Sequence, residues 1–219
     1  MLFKPSSKKL QQVFELLLES YGRQQWWPGD TPFEIMLGAI LTQNTAWSSV
    51  ERAIANLKDA GVLHQQGIQS LPTEELAQLI RPSGYYNQKA KRLHNLCRFL
   101  DENGGEEGLQ KIETACLRNM LLSINGVGAE TADDILLYAM ERPVFVVDAY
   151  TRRIFSRLGM LHGDEGYEEI RSGFEHSIGP DTEMFNEYHA LIVLHGKETC
   201  KTRPHCDQCS LKKICVSRK

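Results

Sequence analysis

The sequence predicts an all-α protein with short connections. Apolar residues recur at three- and four-residue spacing through most of the chain, and Gly, Pro, Asn or Asp closes each run. No internal repeat, low-complexity tract or long linker interrupts the series. Residues 144–147, VFVV, are the one stretch of strand-like composition, and four residues are too few to decide it.

Taken in order, Leu10, Val13, Phe14, Leu17, Leu18 and Tyr21 form the apolar stripe of a first amphipathic helix that Gly22 ends. After GRQQWWPGD, Thr31 and Glu34 make a capping-box pair with Pro32 at the first helical position, opening a buried helix through TPFEIMLGAILTQ. Val50, Ala53, Ile54 and Leu57 mark a third helix that stops near Gly61. Thr73, Leu76, Leu79 and Ile80 mark a short fourth before Pro82. Further helices are expected over residues 89–100, 109–123, 129–140, 149–158, 167–178 and 182–194.

A chain of 219 residues, 42% hydrophobic and 24% charged, can bury a core in one domain or two small ones. No apolar run approaches the roughly 20 residues that cross a bilayer, and MLFKPSSKKL lacks the apolar stretch of a signal peptide, so a cytoplasmic protein is expected. The net charge of −3 excludes a uniformly basic nucleic-acid binder and leaves a local basic face as the route to phosphate. From Lys197 onward, Lys197, Lys201, Arg203, Lys212, Lys213, Arg218 and Lys219 stand against Glu198 and Asp207, as a docking face or a solvated terminus would.

Three patterns carry chemistry. Cys200, Cys206, Cys209 and Cys215 are spaced C-x5-C-x2-C-x5-C, and four soft thiolates this close can surround zinc or a [4Fe-4S] cluster. One C-x2-C pair flanked by a cysteine on each side, rather than two such pairs across a long loop, weighs toward the cluster. The remaining cysteines, Cys97 and Cys116, are isolated at helical positions and read as core residues. In residues 121–139 an apolar helix breaks at Gly126-Val127-Gly128 and a second starts at once, which is either a phosphate cradle of backbone N–H groups or a plain helix connection. Finally, VFVVDAYTRRI places Asp148 directly before a helix, where capping bonds would keep its carboxylate ionised.

GVGAETADDILLYA, then VFVVDAYTRRI, then HGKETC with the four cysteines resemble, in order and spacing, the endonuclease III superfamily of helix-hairpin-helix DNA glycosylases. With LTQNT the likeness covers residues from about 31 to 215. It implies two helical lobes: a six-helix barrel domain over residues 30–142 that holds the hairpin, and an iron-sulfur cluster domain from residues 1–29 and 143–219, with an active-site cleft between them. Asp148 matches the family's catalytic aspartate. Gly126, Val127, Gly128 and Thr131 fall in the hairpin that contacts double-stranded DNA containing damaged bases, and the four cysteines match the ligands of the [4Fe-4S] cluster. Glu130 stands where bifunctional members carry a lysine nucleophile; a carboxylate cannot form an imine, so a monofunctional glycosylase is expected. Asn125 replaces the usual hairpin proline, and the first two ligand cysteines are one residue closer than in the commonest family pattern.

LTQNTAWSSV together with the upstream WWPGD resembles the 3-methyladenine DNA glycosylase III branch. That likeness implies a base pocket lined by Trp26, Trp27, Pro28 and Trp47, with Glu130 beside it, and Gln43 as the residue filling the gap left by a flipped nucleotide. Indoles stacked on a cationic alkylated purine contribute about 0.5 to 2 kcal/mol per good contact, although indoles that merely pack helices are the competing reading. The expected protein is a monomeric, nucleoid-associated enzyme excising alkylated purines such as 3-methyladenine. A glycosylase for oxidised or deaminated bases, and a non-catalytic DNA-binding module with a structural cluster, are the alternatives.

Overall fold

The computed structural model describes residues 5–24 and 26–217. Among these the chain forms twelve α-helices and no strand: α1 (Ser7–Tyr21), α2 (Pro32–Leu41), α3 (Trp47–Asp59), α4 (Gln65–Ser70), α5 (Thr73–Leu79), α6 (Tyr86–Glu102), α7 (Gly105–Gln110), α8 (Thr114–Leu122), α9 (Ala129–Asp134), α10 (Ala149–Arg157), α11 (Tyr167–Ile178) and α12 (Thr182–Glu198). The all-α expectation holds. No helix among the described residues is long and apolar enough to cross a membrane. The chain divides into two compact units, Met1–Trp27 with Pro143–Lys219, and Pro28–Arg142.

In the continuous unit, Pro28–Arg142, the α2 cap forms as its sequence dictates, with Thr31 Oγ1 accepting from the Glu34 amide at 3.1 Å. The return arm differs from a reciprocal capping box, because the Glu34 carboxylate takes the Asp30 amide at 3.3 Å. Helix α2 is apolar on nearly every face and is buried along its length. Two short elements depart from the apolar periodicity. The expected helix over 109–123 is split into α7 and α8, because the Glu113 side chain accepts from the Ala115 and Cys116 amides at 2.8 and 3.1 Å and starts a new helix there. Helix α4 has no apolar stripe to announce it and is capped instead by His64, whose ring accepts from the Gly67 amide at 3.1 Å. Beyond α9 the last turn widens into a π-helix over Ile135–Ala139, with the Met140 amide reaching back to the Ile135 carbonyl at 3.0 Å.

Cys97 lies fully inside on α6, where burial pushes its thiol up to about 12. Cys116 does not: it is exposed on α8, because Leu117 and Leu121 take that helix's inward face. Its placement in the core by sequence is therefore corrected.

In the unit built from both chain ends, α1 turns Leu10, Val13 and Leu17 inward, each at most 1% exposed, against α11 and α12. Burying each such side chain is worth about 1.5–3 kcal/mol. An aromatic cluster fills the interior: Phe145 stacks on Phe174 with centroids 4.2 Å apart, and Phe155, Phe185 and Tyr188 meet these rings edge-on. Gly196 on α12 allows the close approach of α10, since a Cβ there would press into the Tyr150 ring. The VFVV stretch is buried and extended but pairs with no strand; its amides go to side chains, Phe145 N to Glu175 at 2.9 Å and Val147 N to the Tyr167 hydroxyl at 3.4 Å. That extended run delivers Asp148 to the start of α10.

Candidate functional site

Asp148 caps α10. Its Oδ1 accepts from the Thr151 amide at 2.7 Å and from the Thr151 hydroxyl at 2.8 Å, and the residue is only 8% exposed. The second carboxylate oxygen, Oδ2, faces His189 Nε2 at 3.7 Å. Burial raises the Asp148 carboxyl, but His189 and the two Thr151 bonds outweigh it and hold the group below the usual aspartate value. His189 projects from the middle of α12 and is 4% exposed. Sequence reading passed over it, because it sits inside HALIVL, which reads as an ordinary buried helix face.

Trp26 and Trp27 belong to the same unit; both are half-buried, with their rings edge-to-face at 6.0 Å. Pro28 is exposed at the first position of the other unit.

In that other unit, Gly126 takes φ +97°, and a Cβ on it would meet the Arg92 side chain, 2.7 Å from Cδ and 2.8 Å from Nε. Gly128 is different. Its backbone is extended, it caps α9, and nothing lies within 4 Å of where a Cβ would be. Val127 is buried beneath the turn. Gln43 is joined to this turn: its Nε2 donates to the Gly126 carbonyl at 3.1 Å and to the Thr131 hydroxyl at 2.9 Å, while Arg92 donates to its Oε1. Structure thus brings Gln43, Gly126 and Thr131 together. Glu130 is exposed at the second residue of α9, and Trp47 opens α3 half-buried, its indole N–H donating to Glu51 at 2.9 Å.

Two supports for the hairpin have no sequence motif. Arg118 of α8 makes a bidentate pair with Asp133 of α9, at 2.6 and 3.0 Å, bracing the two helices across the turn. Lys89 is 1% exposed and donates to the Leu41 carbonyl, the Thr45 hydroxyl and the Ser83 carbonyl at 2.7–2.8 Å, tying the LTQNT segment to α6.

The cysteine segment follows α12. The Cys200 amide donates to the His195 carbonyl at 2.7 Å, Arg157 approaches Cys200 Sγ at 3.2 Å, and Cys215 Sγ lies 3.4 Å from the Arg157 carbonyl. Arg153 and Arg157 hold the carbonyls of residues 196 and 200–202. Cys209 Sγ is 3.6 Å from His195 Nε2, whose other ring nitrogen pairs with the Tyr21 hydroxyl at 2.9 Å. Among the described residues no group of three or more His, Cys, Asp or Glu side chains is gathered closely enough for a single metal ion. Yet the Cys209 thiol feels the other three. Burial pushes the Cys209 thiol up against a backbone bond from Leu211, and the Cys200, Cys215 and Cys206 sulfurs add to the rise. Four thiolates are a donor set that a cationic iron centre neutralises, and an iron-sulfur cube spreads its ligands wider than one ion does.

An all-α chain with a helix–glycine turn–helix and a later helix capped by aspartate has the make-up of the helix-hairpin-helix DNA glycosylases. Residues 37–180 match the HhH-GPD superfamily of base excision DNA repair proteins, and the chain belongs to that family. A Methanocaldococcus jannaschii protein assigned as a DNA repair glycosylase is 50% identical over 94% of this chain and 96% of its own length. Endonuclease III of Sulfolobus acidocaldarius is 31% identical over 84% of this chain and 81% of its own. Among solved structures, the H. pylori 3-methyladenine DNA glycosylase MagIII bound to 1,N6-ethenoadenine aligns with a TM-score of 0.77 at 32% identity, covering 89% of this chain and 98% of its own. An endonuclease III–DNA complex shares the fold, with a TM-score of 0.83 at 23% identity over 97% of this chain and 96% of its own. The chain is thus a DNA glycosylase, a hydrolase of N-glycosyl bonds.

Proposed function

We propose that this glycosylase is monofunctional and releases alkylated purines such as 3-methyladenine from duplex DNA, with Asp148 as its catalytic carboxylate. The observation that carries the reading is the state of Asp148: buried, capped, and held ionised with one oxygen engaged by Thr151. Methylation at N3 places positive charge on adenine, so the base departs neutral and needs little acid catalysis. What remains is to unstack the nucleotide, at a cost of a few kcal/mol, and to stabilise the oxocarbenium sugar. Asp148 supplies the negative charge and orients the attacking water.

The sequence likeness assigns Trp26, Trp27, Pro28, Trp47 and Glu130 to the base pocket, and 32% identity to a 3-methyladenine glycosylase supports that assignment. The Gly126–Gly128 turn, Thr131 and Gln43 contact the DNA. The Glu130 carboxylate, in the family's lysine position, argues against Schiff-base strand cleavage. Cys200, Cys206, Cys209 and Cys215 would hold a [4Fe-4S] cluster, which when bound cross-links the segment bearing the exposed Lys201, Arg203, Lys212 and Lys213.

The test is to incubate methylated duplex DNA with the protein and with Asp148→Asn, and to identify the freed bases. Free 3-methyladenine from the first and none from the second is expected; base release by the variant refutes the assignment. A borohydride-trapped DNA adduct with the unmodified protein overturns the monofunctional reading. Iron and sulfide at about four per chain, lost in Cys209→Ser, is the expected signature of the cluster. Kinship to endonuclease III favours a second reading, a glycosylase for oxidised or deaminated bases, which release from duplexes carrying such lesions would support.

A further inference from the structure

We propose that His189 receives the proton that Asp148 takes from the attacking water, so that the pair together forms the base of the reaction. The inference rests on the assignment of Asp148 above. Oδ1 of Asp148 has both Thr151 donors on it, at 2.7 and 2.8 Å, which leaves Oδ2 as the oxygen toward a water molecule. His189 Nε2 lies beside that same oxygen at 3.7 Å, brought there by a different helix. At this distance the two are in contact but not in a formed hydrogen bond. A movement of less than about 1 Å closes the pair, as catalytic hydrogen bonds tighten in the reacting complex.

Chemistry gives the pair its purpose. A carboxylate whose Oδ1 is already engaged by both Thr151 donors is a weak proton acceptor. An imidazole is intrinsically the stronger base, at about 6.5 against about 3.9 for an aspartate. The balance is complete within the site. The C1′–N bond breaks and its electron pair leaves with the purine, neutralising the cationic base. A bond forms from the water oxygen to C1′, and the water's proton passes to Asp148 Oδ2 and on to His189 Nε2. Asp148 ends ionised beside an imidazolium, which loses its proton to solvent as the product leaves; nothing is oxidised or reduced.

The experiment measures single-turnover base release from dimethyl-sulfate-treated duplex DNA by wild type, His189→Gln, His189→Ala and Asp148→Asn, together with binding to the same duplex. The expected result is a loss of about 10- to 100-fold or more in rate for His189→Gln at unchanged duplex affinity, with partial recovery of His189→Ala when free imidazole is added. Glutamine preserves the volume and polarity of the site, so it carries the test if the alanine variant does not fold. A wild-type rate in His189→Gln overturns the proposal. So does a loss that tracks weakened DNA binding in a folded His189→Ala without imidazole recovery. If Asp148→Asn is inactive while His189→Gln turns over normally, the relay alone falls; if Asp148→Asn still releases base, the parent assignment falls and the relay with it.

Discussion

Replacing Gly126 and Gly128 by alanine, one at a time, separates what the hairpin needs in order to fold from what it needs in order to touch DNA. At Gly126 the backbone has φ +97°, where a Cβ costs roughly 1–2 kcal/mol. The new methyl also presses on Arg92, 2.7 Å from its Cδ, and Arg92 is the donor that steadies Gln43, a bond worth about 1 kcal/mol. The sum is about 2–3 kcal/mol, a fall in Tm of roughly 4–12 °C for a chain of this size. Gly128 carries neither penalty, since its φ is −95° and the space around it is open, so alanine there should leave stability within about 0.5 kcal/mol. Open space on that side is where a phosphate would sit, and a methyl in it displaces one charge-assisted bond of about 1.5–3 kcal/mol, weakening duplex binding roughly 10- to 150-fold. Thermal melts and fluorescence anisotropy on a duplex at fixed salt read the two effects. Wild-type affinity in Gly128→Ala, or a wild-type melt in Gly126→Ala, would refute the division of labour between the two glycines.

Three further outcomes are expected. Burial, with a smaller contribution from Arg92, pushes Lys89 down from 10.5 to about 8, so between these values the unfolded chain binds the proton that the native protein has shed. The Lys89 contribution to stability therefore rises with pH across that window, and Lys89→Met should flatten the difference in urea midpoint between about pH 7.5 and about pH 9.5; an unchanged slope contradicts this. A thiol reagent added to the native, cluster-loaded protein should modify the exposed Cys116 quickly and leave the buried Cys97 untouched, so Cys116→Ser should remove the fast phase; mass spectrometry locates the label. Glu130→Lys should not by itself yield efficient strand cleavage, because a lysine nucleophile must also be held at the sugar with its pKa lowered; rapid nicking of a lesion duplex by this variant would show otherwise.

Much of the fold could be read from the sequence because its signals are local. The Thr31 cap, the stripe of α1 and the cap at Asp148 each depend on residues within about one turn of each other, and each forms. The break between α7 and α8 could not be read, because the apolar period continues across it while a single carboxylate, Glu113, claims two amides. Cys116 was misplaced for a related reason: helical spacing does not say which way a small residue turns when two leucines already fill the inward face. At the candidate site the aspartate and the glycine turn are motifs, but His189, Lys89 and the Arg118–Asp133 brace are tertiary. Their partners lie 41, 48 and 15 residues away, and nothing in their own neighbourhood distinguishes them from core or surface positions.

The first and last parts of the chain, which flank the stretch Pro28–Arg142 in sequence, make a single unit. The Tyr21 hydroxyl at the end of α1 finds its partner, His195, 174 residues later. At a synthesis rate of about 5–20 residues per second, α1 leaves the ribosome roughly 9–35 s before the helix it packs on. During that interval Leu10, Val13 and Leu17 have no α11 or α12 to cover them. Translation order therefore sets a waiting period for the amino-terminal helix, and holding chaperones would have to shield a greasy stripe three residues wide until the carboxy-terminal helices emerge.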